Sequence, residues 1–244
     1  MALPLDANVL PEEEKICSYA QPVTGAGQPS SSHPTHLRYP RSVLHTLPER
    51  DQELVQIVDA ALVNVTQKAG QWLACRPGCM QCCVGAFAIN ALDAARLRAG
   101  LNDLQRTDPS RVERVKQRAR AYVERVRIDF PGNSKTGILD ETKSGQDRFT
   151  TFAGEEICPA LDPELGTCDL YRFRPMTCRV FGPPVRNEGG GIGVCELCFH
   201  GATDEQIAAC EMKPDPDNLE DKLLAEMEQS GAQAHTIVAY VLAE

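Results

Sequence analysis

The run Cys75-Arg-Pro-Gly-Cys79-Met-Gln-Cys82-Cys83 sets four thiols within nine residues of the chain. No other feature limits the fold as strongly. Spacings of two or three residues let one turn of loop aim several sulfurs at a common point, and thiolates are soft ligands that select zinc, Cu(I) or iron–sulfur clusters over magnesium or calcium. Five more cysteines follow downstream: Cys158, Cys168, Cys178, Cys195 and Cys198. They lie in a stretch rich in Pro and Gly with only short apolar pieces, which cannot build much core, so metal ligation is expected to replace it. Pro77-Gly78 supplies a tight bend inside the first spacing. Cys82 and Cys83 are adjacent and project differently, so they are not expected to share one mononuclear ion.

The redox setting decides between metal and cystine. Eleven cysteines in 244 residues are an odd number and sparse beside a disulfide-stapled miniprotein. The opening Met-Ala-Leu-Pro-Leu-Asp has no basic n-region and is broken by Pro4 and Asp6, so a cytoplasmic, reducing location is expected, where clustered thiols bind metal. The net charge of −9 and pI near 5.1 argue against nucleic-acid binding. The mean hydropathy of −0.30 and the lack of a long apolar run argue against a membrane span.

The remaining sequence predicts a mainly α fold: a small helical domain with long Cys-rich, metal-pinned loops. Residues 1–45 read as a flexible extension, with Pro, Gly and Ser concentrated in 21–34 and Cys17 the least significant cysteine. Residues 46–203 form the cysteine-cluster metal-binding domain, and residues 204–244 a C-terminal helical segment packed on it. The capping box Thr46-x-x-Glu49 predicts a helix from Thr46, with Leu54, Val58, Ala61, Leu62, Val65 and Ala69 on its apolar face. Asn90-x-x-Asp93 predicts a second helix to about Arg98, ended by Gly100. A third starts at Asp108-Pro109 with the stripe Val112, Val115, Ala119, Tyr122, Val123 and Val126. Residues 130–150 read as loop. Short helical pieces are expected from Asp204 and from about Leu219 to the end.

The third helix carries Arg111, Arg114, Lys116, Arg118, Arg120, Arg125 and Arg127 against Glu113 and Glu124. This basic ridge, residues 111–127, reads either as a solvated face or as a docking face for an acidic protein partner.

The cysteine pattern resembles the YkgJ-type cysteine-cluster family, a zinc- or iron-chelating domain with the motif C-x3-C-x2-C-C, then C-P-x-L, then C-x-x-Y-x-x-R-P-x-x-C-R. The matching residues are Cys75, Cys79, Cys82 and Cys83, then Cys158-Pro159-Ala160-Leu161, then Cys168, Tyr171, Arg174-Pro175 and Cys178-Arg179. Relatives that methylate flagellin lysines look like iron–sulfur enzymes, so the resemblance implies an iron–sulfur cluster, with [4Fe–4S] the expected form and zinc the alternative. Cys75-x3-Cys79-x2-Cys82 also matches the spacing in radical S-adenosylmethionine enzymes. However, Gln81 stands where those enzymes carry an aromatic residue, and no alternating strand–helix pattern is present.

The metal-ligand candidates are thus Cys75, Cys79, Cys82, Cys83, Cys158, Cys168, Cys178, Cys195 and Cys198. Cys75, Cys79, Cys82 and Cys178 are the first-choice set, with Cys158 and Cys168 next. Cys195-x2-Cys198 looks like one zinc knuckle, and His200 beside it reads as a solvated histidine or a further ligand. Arg76, Arg172, Arg174 and Arg179 are expected to compensate cluster charge, or only to pair with Asp162, Glu164 or Asp169, or, in the case of Arg174 and Arg179, to bind substrate together with Tyr171. The sequence leaves the partition of the nine cysteines open. It supports an iron–sulfur protein with a redox or group-transfer role, or alternatively a zinc-stabilised interaction module without catalysis. No hydrolase, P-loop or dinucleotide-binding signature is present.

Overall fold

The computed structural model describes residues 48–76, 78–187, 189–229 and 234–244. The expected extension, Cys17 and Thr46 lie outside them. The fold is mainly α, with strands only as two-residue antiparallel pairs among the described residues. No described helix is long and apolar enough to cross a membrane.

Helix α1 (Asp51–Ala69) buries Leu54, Val58, Val65 and Ala69 at helical spacing. It starts later than Thr46 because a turn closed by Asp51 N–H on the Pro48 carbonyl precedes it, and Arg50 occupies the cap position. Helix α2 (Ala91–Thr107) is capped as its sequence predicts, Asn90 accepting from the Asp93 amide at 2.9 Å. It does not stop at Gly100. That glycine is buried, and a Cβ there would sit 2.7 Å from Phe173 Cβ. Gly100 therefore serves close packing of the cysteine loop on α2 rather than helix termination. Helix α3 (Pro109–Val126) is capped by Asp108 and buries Val112, Val115, Ala119, Tyr122 and Val126.

Residues 130–150 are not all loop. Gly132–Asn133 (β2) pairs with Ile138–Leu139 (β3), and Thr142 caps a short helix α4 (Lys143–Phe149). The C-terminal segment also departs from the expected single last helix. Short helix α6 (Asp204–Ala209) has a Thr203/Gln206 capping box and is followed by α7 (Leu219–Gln229). The chain then extends as Thr236–Ile237 (β8), pairing with Ala88–Ile89 (β1), before helix α8 (Val238–Leu242). The β-branched run Thr236-Ile237-Val238 favours an extended entry over continuous helix.

These elements bury three apolar clusters. The first joins α1, α7 and one face of α2 to Cys195, Cys198, Phe199, Cys210 and Met212. In the second, the other face of α2 meets α3 and α8, with Ala160 and Leu170 buried and Cys158 and Cys168 packed against them. The third is aromatic: Phe130 meets Phe152 edge-on at 5.6 Å and Tyr240 at 4.8 Å.

Candidate metal centre

The cysteines sit on loops that helices hold in place. Two backbone connections fix the run at 75–83. At one end, Phe199 N–H donates to the Trp72 carbonyl at 2.7 Å, and Ala74 N–H reaches Cys198 Sγ at 3.4 Å. At the other, Cys158 N–H donates to the Cys83 carbonyl at 2.7 Å, and Gly85 N–H to the Glu156 carbonyl at 2.8 Å, with Val84 and Ile157 bridged antiparallel between them. The run therefore leaves α1 against one distant segment and ends against another.

The nine thiols consequently fall into two neighbourhoods. Cys75 lies within electrostatic reach of Cys198, Cys79 and Cys195, and makes a side-chain contact with Cys198. Cys82, Cys158, Cys168 and Cys178 lie within reach of one another. Cys83 stands beside this second group and hydrogen-bonds Cys82. The first-choice set is divided by this geometry: Cys75 and Cys79 face Cys195 and Cys198, whereas Cys82 and Cys178 face Cys158 and Cys168. The short 3-10 turn at Gln81–Cys83 redirects the chain between the two groups. Among the described residues no three His, Cys, Asp or Glu side chains stand as a ready-made ion cage.

The loops are nevertheless built to receive thiolates. The Leu197 amide hydrogen-bonds Cys195, the Leu170 amide Cys168, and the Ala160 and Leu161 amides Cys158. Amides directed at sulfur favour its anionic form. This gives C-P-x-L a physical meaning: Pro159 fixes its own φ and the next two amides turn back to Cys158. Gly182 has φ +118, and a Cβ there would lie 2.5 Å from Cys75 Sγ, so only glycine leaves that sulfur its place. The donor set therefore fits a thiophilic metal in its chemistry.

Burial and neighbouring sulfurs push most of these thiols up. Burial, then the neighbouring cysteines, push Cys75 up to about 12. Burial pushes Cys158 up to about 12, Cys168 up to about 11 and Cys178 well above the usual thiol range. Cys82 is the exception. The hydrogen bond from Cys83, helped by the Arg174 guanidinium, brings it down to about 6, while the same bond raises Cys83.

Arg174 and Arg179 are buried, and their partner is Asp59 on α1 rather than Asp162, Glu164 or Asp169. Arg179 holds both Asp59 oxygens, at 2.7 and 2.9 Å, and also donates to the Arg172 carbonyl. Arg174 donates to the Tyr171 carbonyl at 2.9 Å and stacks over the half-exposed Tyr171 ring at 4.0 Å. A second anchor sits at the start of α5 (Met176–Val180), which carries Cys178. Asp93 accepts from the Met176 amide at 2.8 Å and from Arg96 at 2.7 Å, and Arg96 also grips Asp51. Asp59 and Arg96 leave no spacing signal in the sequence, and Asp93 reads there only as part of a helix start; the roles of all three depend on tertiary pairing.

The basic ridge turns inward as well. Arg111 and Arg118 both hold the buried carboxylate of Asp169, next to Cys168. Arg118 also donates to the Pro159 carbonyl at 2.9 Å, and Arg125 grips Glu156. His200 is exposed. Beside the second thiol group lies a cleft of about 180 Å³, lined by Gln81, Cys82, Val84, Phe87, Cys178 and Phe181 among others.

No curated protein and no solved structure matches the chain. A family match covers residues 74–198, from the residue before the first clustered cysteine to the last. That span is just over half the sequence and takes in both thiol neighbourhoods, so the chain belongs to the family described as "CxxCxxCC: Putative zinc- or iron-chelating domain".

Proposed function

We propose that Cys82, Cys158, Cys168 and Cys178 hold an iron–sulfur centre, [4Fe–4S] in form, which gives the protein a redox or group-transfer role. The observation that carries this reading is the gathering of four thiols from distant segments, two of which, Cys82 and Cys178, line a cleft of about 180 Å³. Arg174, within electrostatic reach of Cys82 and Cys168, supports it by offsetting the negative charge that four thiolates bring to a buried cluster. When bound, such a cluster supplies one-electron transfer at a potential tuned by hydrogen bonds to its sulfurs and by solvent exposure. The chain's own part is to position and exclude: Asp93 and Asp59 hold the Cys178 helix, the Ala160, Leu161 and Leu170 amides support their sulfurs, and the cleft gives a small reactant access to Cys82 and Cys178. Ten free cysteines among the described residues suit a reducing compartment such as the cytosol.

The test is purification of the full chain without oxygen, followed by absorbance, iron and acid-labile sulfide analysis. The reading expects a brown protein whose visible absorption bleaches on reduction. A colourless protein carrying zinc alone would refute it.

The second reading is a zinc-stabilised interaction module. It is favoured by the knuckle-like turn at Cys195–Cys198, where Cys198 N–H closes on the Cys195 carbonyl at 2.8 Å. On that reading the metal supports the fold, and the acidic partner must engage ridge residues such as Arg114, because Arg111, Arg118, Arg120, Arg125 and Arg127 already hold carboxylates of this chain.

A further inference from the structure

We infer that the cleft beside Cys82 and Cys178 binds an uncharged, single-ring aromatic molecule that carries one hydrogen-bonding group. The inference rests on the cluster reading for the role of this molecule as a reactant, not for its binding, and it adds the chemical class.

Two walls form the cleft, and each is fixed to the frame on its own. One is the loop at 81–87, where Gly85 N–H donates to the Glu156 carbonyl at 2.8 Å and Ala86 N–H to the Ala153 carbonyl at 3.2 Å. The other is α5 with Phe181 after it, held by the Asp93 bond to the Met176 amide and by Arg179 on Asp59. Walls that the ligand does not have to order lower the cost of binding. The volume of about 180 Å³ suits one ring, since an apolar cavity of about 150 Å³ holds benzene. The lining selects the ring as well. Phe87 stands on one wall and Phe181 on the other, and among the described residues neither phenyl pairs with another aromatic ring. Val84 and Phe181 are 49 % and 42 % exposed, apolar surface that such a ligand covers. Charge is selected against. Among the described residues no Arg, Lys, His, Asp or Glu lines the cleft, and the charge its two sulfurs can carry is negative. A carboxylate or phosphate therefore enters without a counter-ion. Arg174 and Arg179 do not line it, and both pair with Asp59. The polar contact is the Thr177 hydroxyl, which lines the cleft and makes no hydrogen bond among the described residues.

The experiment is saturation-transfer NMR on the full chain purified without oxygen, titrated in turn with benzyl alcohol, toluene, benzoate and glycerol. Benzyl alcohol is expected to bind with a dissociation constant of about 1 mM, as so small a ligand allows. Benzoate should be at least about tenfold weaker, and glycerol should give no signal. Phe181→Ala should weaken benzyl alcohol and toluene alike, by about two- to tenfold. Thr177→Val should weaken benzyl alcohol by about two- to tenfold and leave toluene unchanged, a split that a damaged fold does not give. No benzyl alcohol signal in the wild type would overturn the site, as would equal binding of benzoate or unchanged affinity in Phe181→Ala. A Thr177→Val variant without the split would overturn the polar contact. Metal and sulfide analysis of the same sample separates this site from the cluster. A brown protein that ignores benzyl alcohol refutes the site alone, and a colourless zinc protein that binds it as described refutes the cluster reading alone.

Discussion

The amide of Cys158 donates a 2.7 Å hydrogen bond to the carbonyl of Cys83. This bond joins the two halves of the cysteine motif through main chain, so the second thiol group is placed by backbone rather than by long side chains. Gly85 continues the same connection at φ +87, where a Cβ would lie 3.3 Å from the Gly154 carbonyl oxygen. Gly85→Ala is expected to cost about 1–2 kcal/mol from the left-handed backbone alone. Urea unfolding measures the loss, and metal retention should fall with it. An unchanged midpoint would contradict the connection's role.

At Gly100 two effects oppose one another. Helix propensity favours alanine by about 1 kcal/mol in a helix interior. Against that, the added methyl would meet Phe173 at 2.7 Å in the turn that precedes Arg174 and Cys178, and overpacking of this kind costs about 1–3 kcal/mol. Gly100→Ala should therefore destabilise, seen as a lower melting temperature. A stabilised variant would show that the loop yields freely.

Asp169 tests the inward reading of the basic ridge. Its side chain is fully buried while Arg111 and Arg118 are 29 % and 25 % exposed, so solvent screens part of the pair. Asp169→Asn is expected to cost about 1–3 kcal/mol, the range for a buried partner left incompletely satisfied. Arg120→Ala, on a solvent-exposed pair with Glu113, should stay within about 0.5 kcal/mol. Equal effects in chemical denaturation would contradict the distinction.

Acid should loosen the hairpin between Cys158 and Cys168. The Leu165 and Glu164 amides hold the Asp162 carboxyl below the usual range. Because the folded value is the lower one, its contribution is fully present above the unfolded value of about 4 and is lost as pH falls through the folded value. Asp162→Asn should flatten that acid limb in denaturation measured from neutral pH downward. A limb identical to wild type would exclude Asp162 as its source.

Much of the helical frame was legible in the sequence because it rests on local chemistry. Asn90 and Asp108 cap their helices, and Leu54, Val58, Val112 and Val115 repeat at helical spacing and are buried. The failures have tertiary causes. Gly100 reads as a stop signal, but its neighbour Phe173 is distant in sequence. Residues Thr236–Ile237 read as helix, but pair with β1. The residue types of the thiol site were legible from spacing, and so was its soft-metal chemistry. Its partition was not. Cys79 and Cys82 meet different segments although only two residues separate them, and spacing along the chain carries no record of which distant loop each one meets. Asp59 escaped notice for the same reason, although it holds both Arg174 and Arg179.

The most direct test of the central claim, that these cysteines hold metal through sulfur, is X-ray absorption at the iron and zinc edges on the full chain purified without oxygen. The structure predicts a sulfur-only shell around each metal present, with iron scattering from neighbouring iron. Nitrogen or oxygen shells around both metals, or a chain carrying neither, would contradict it.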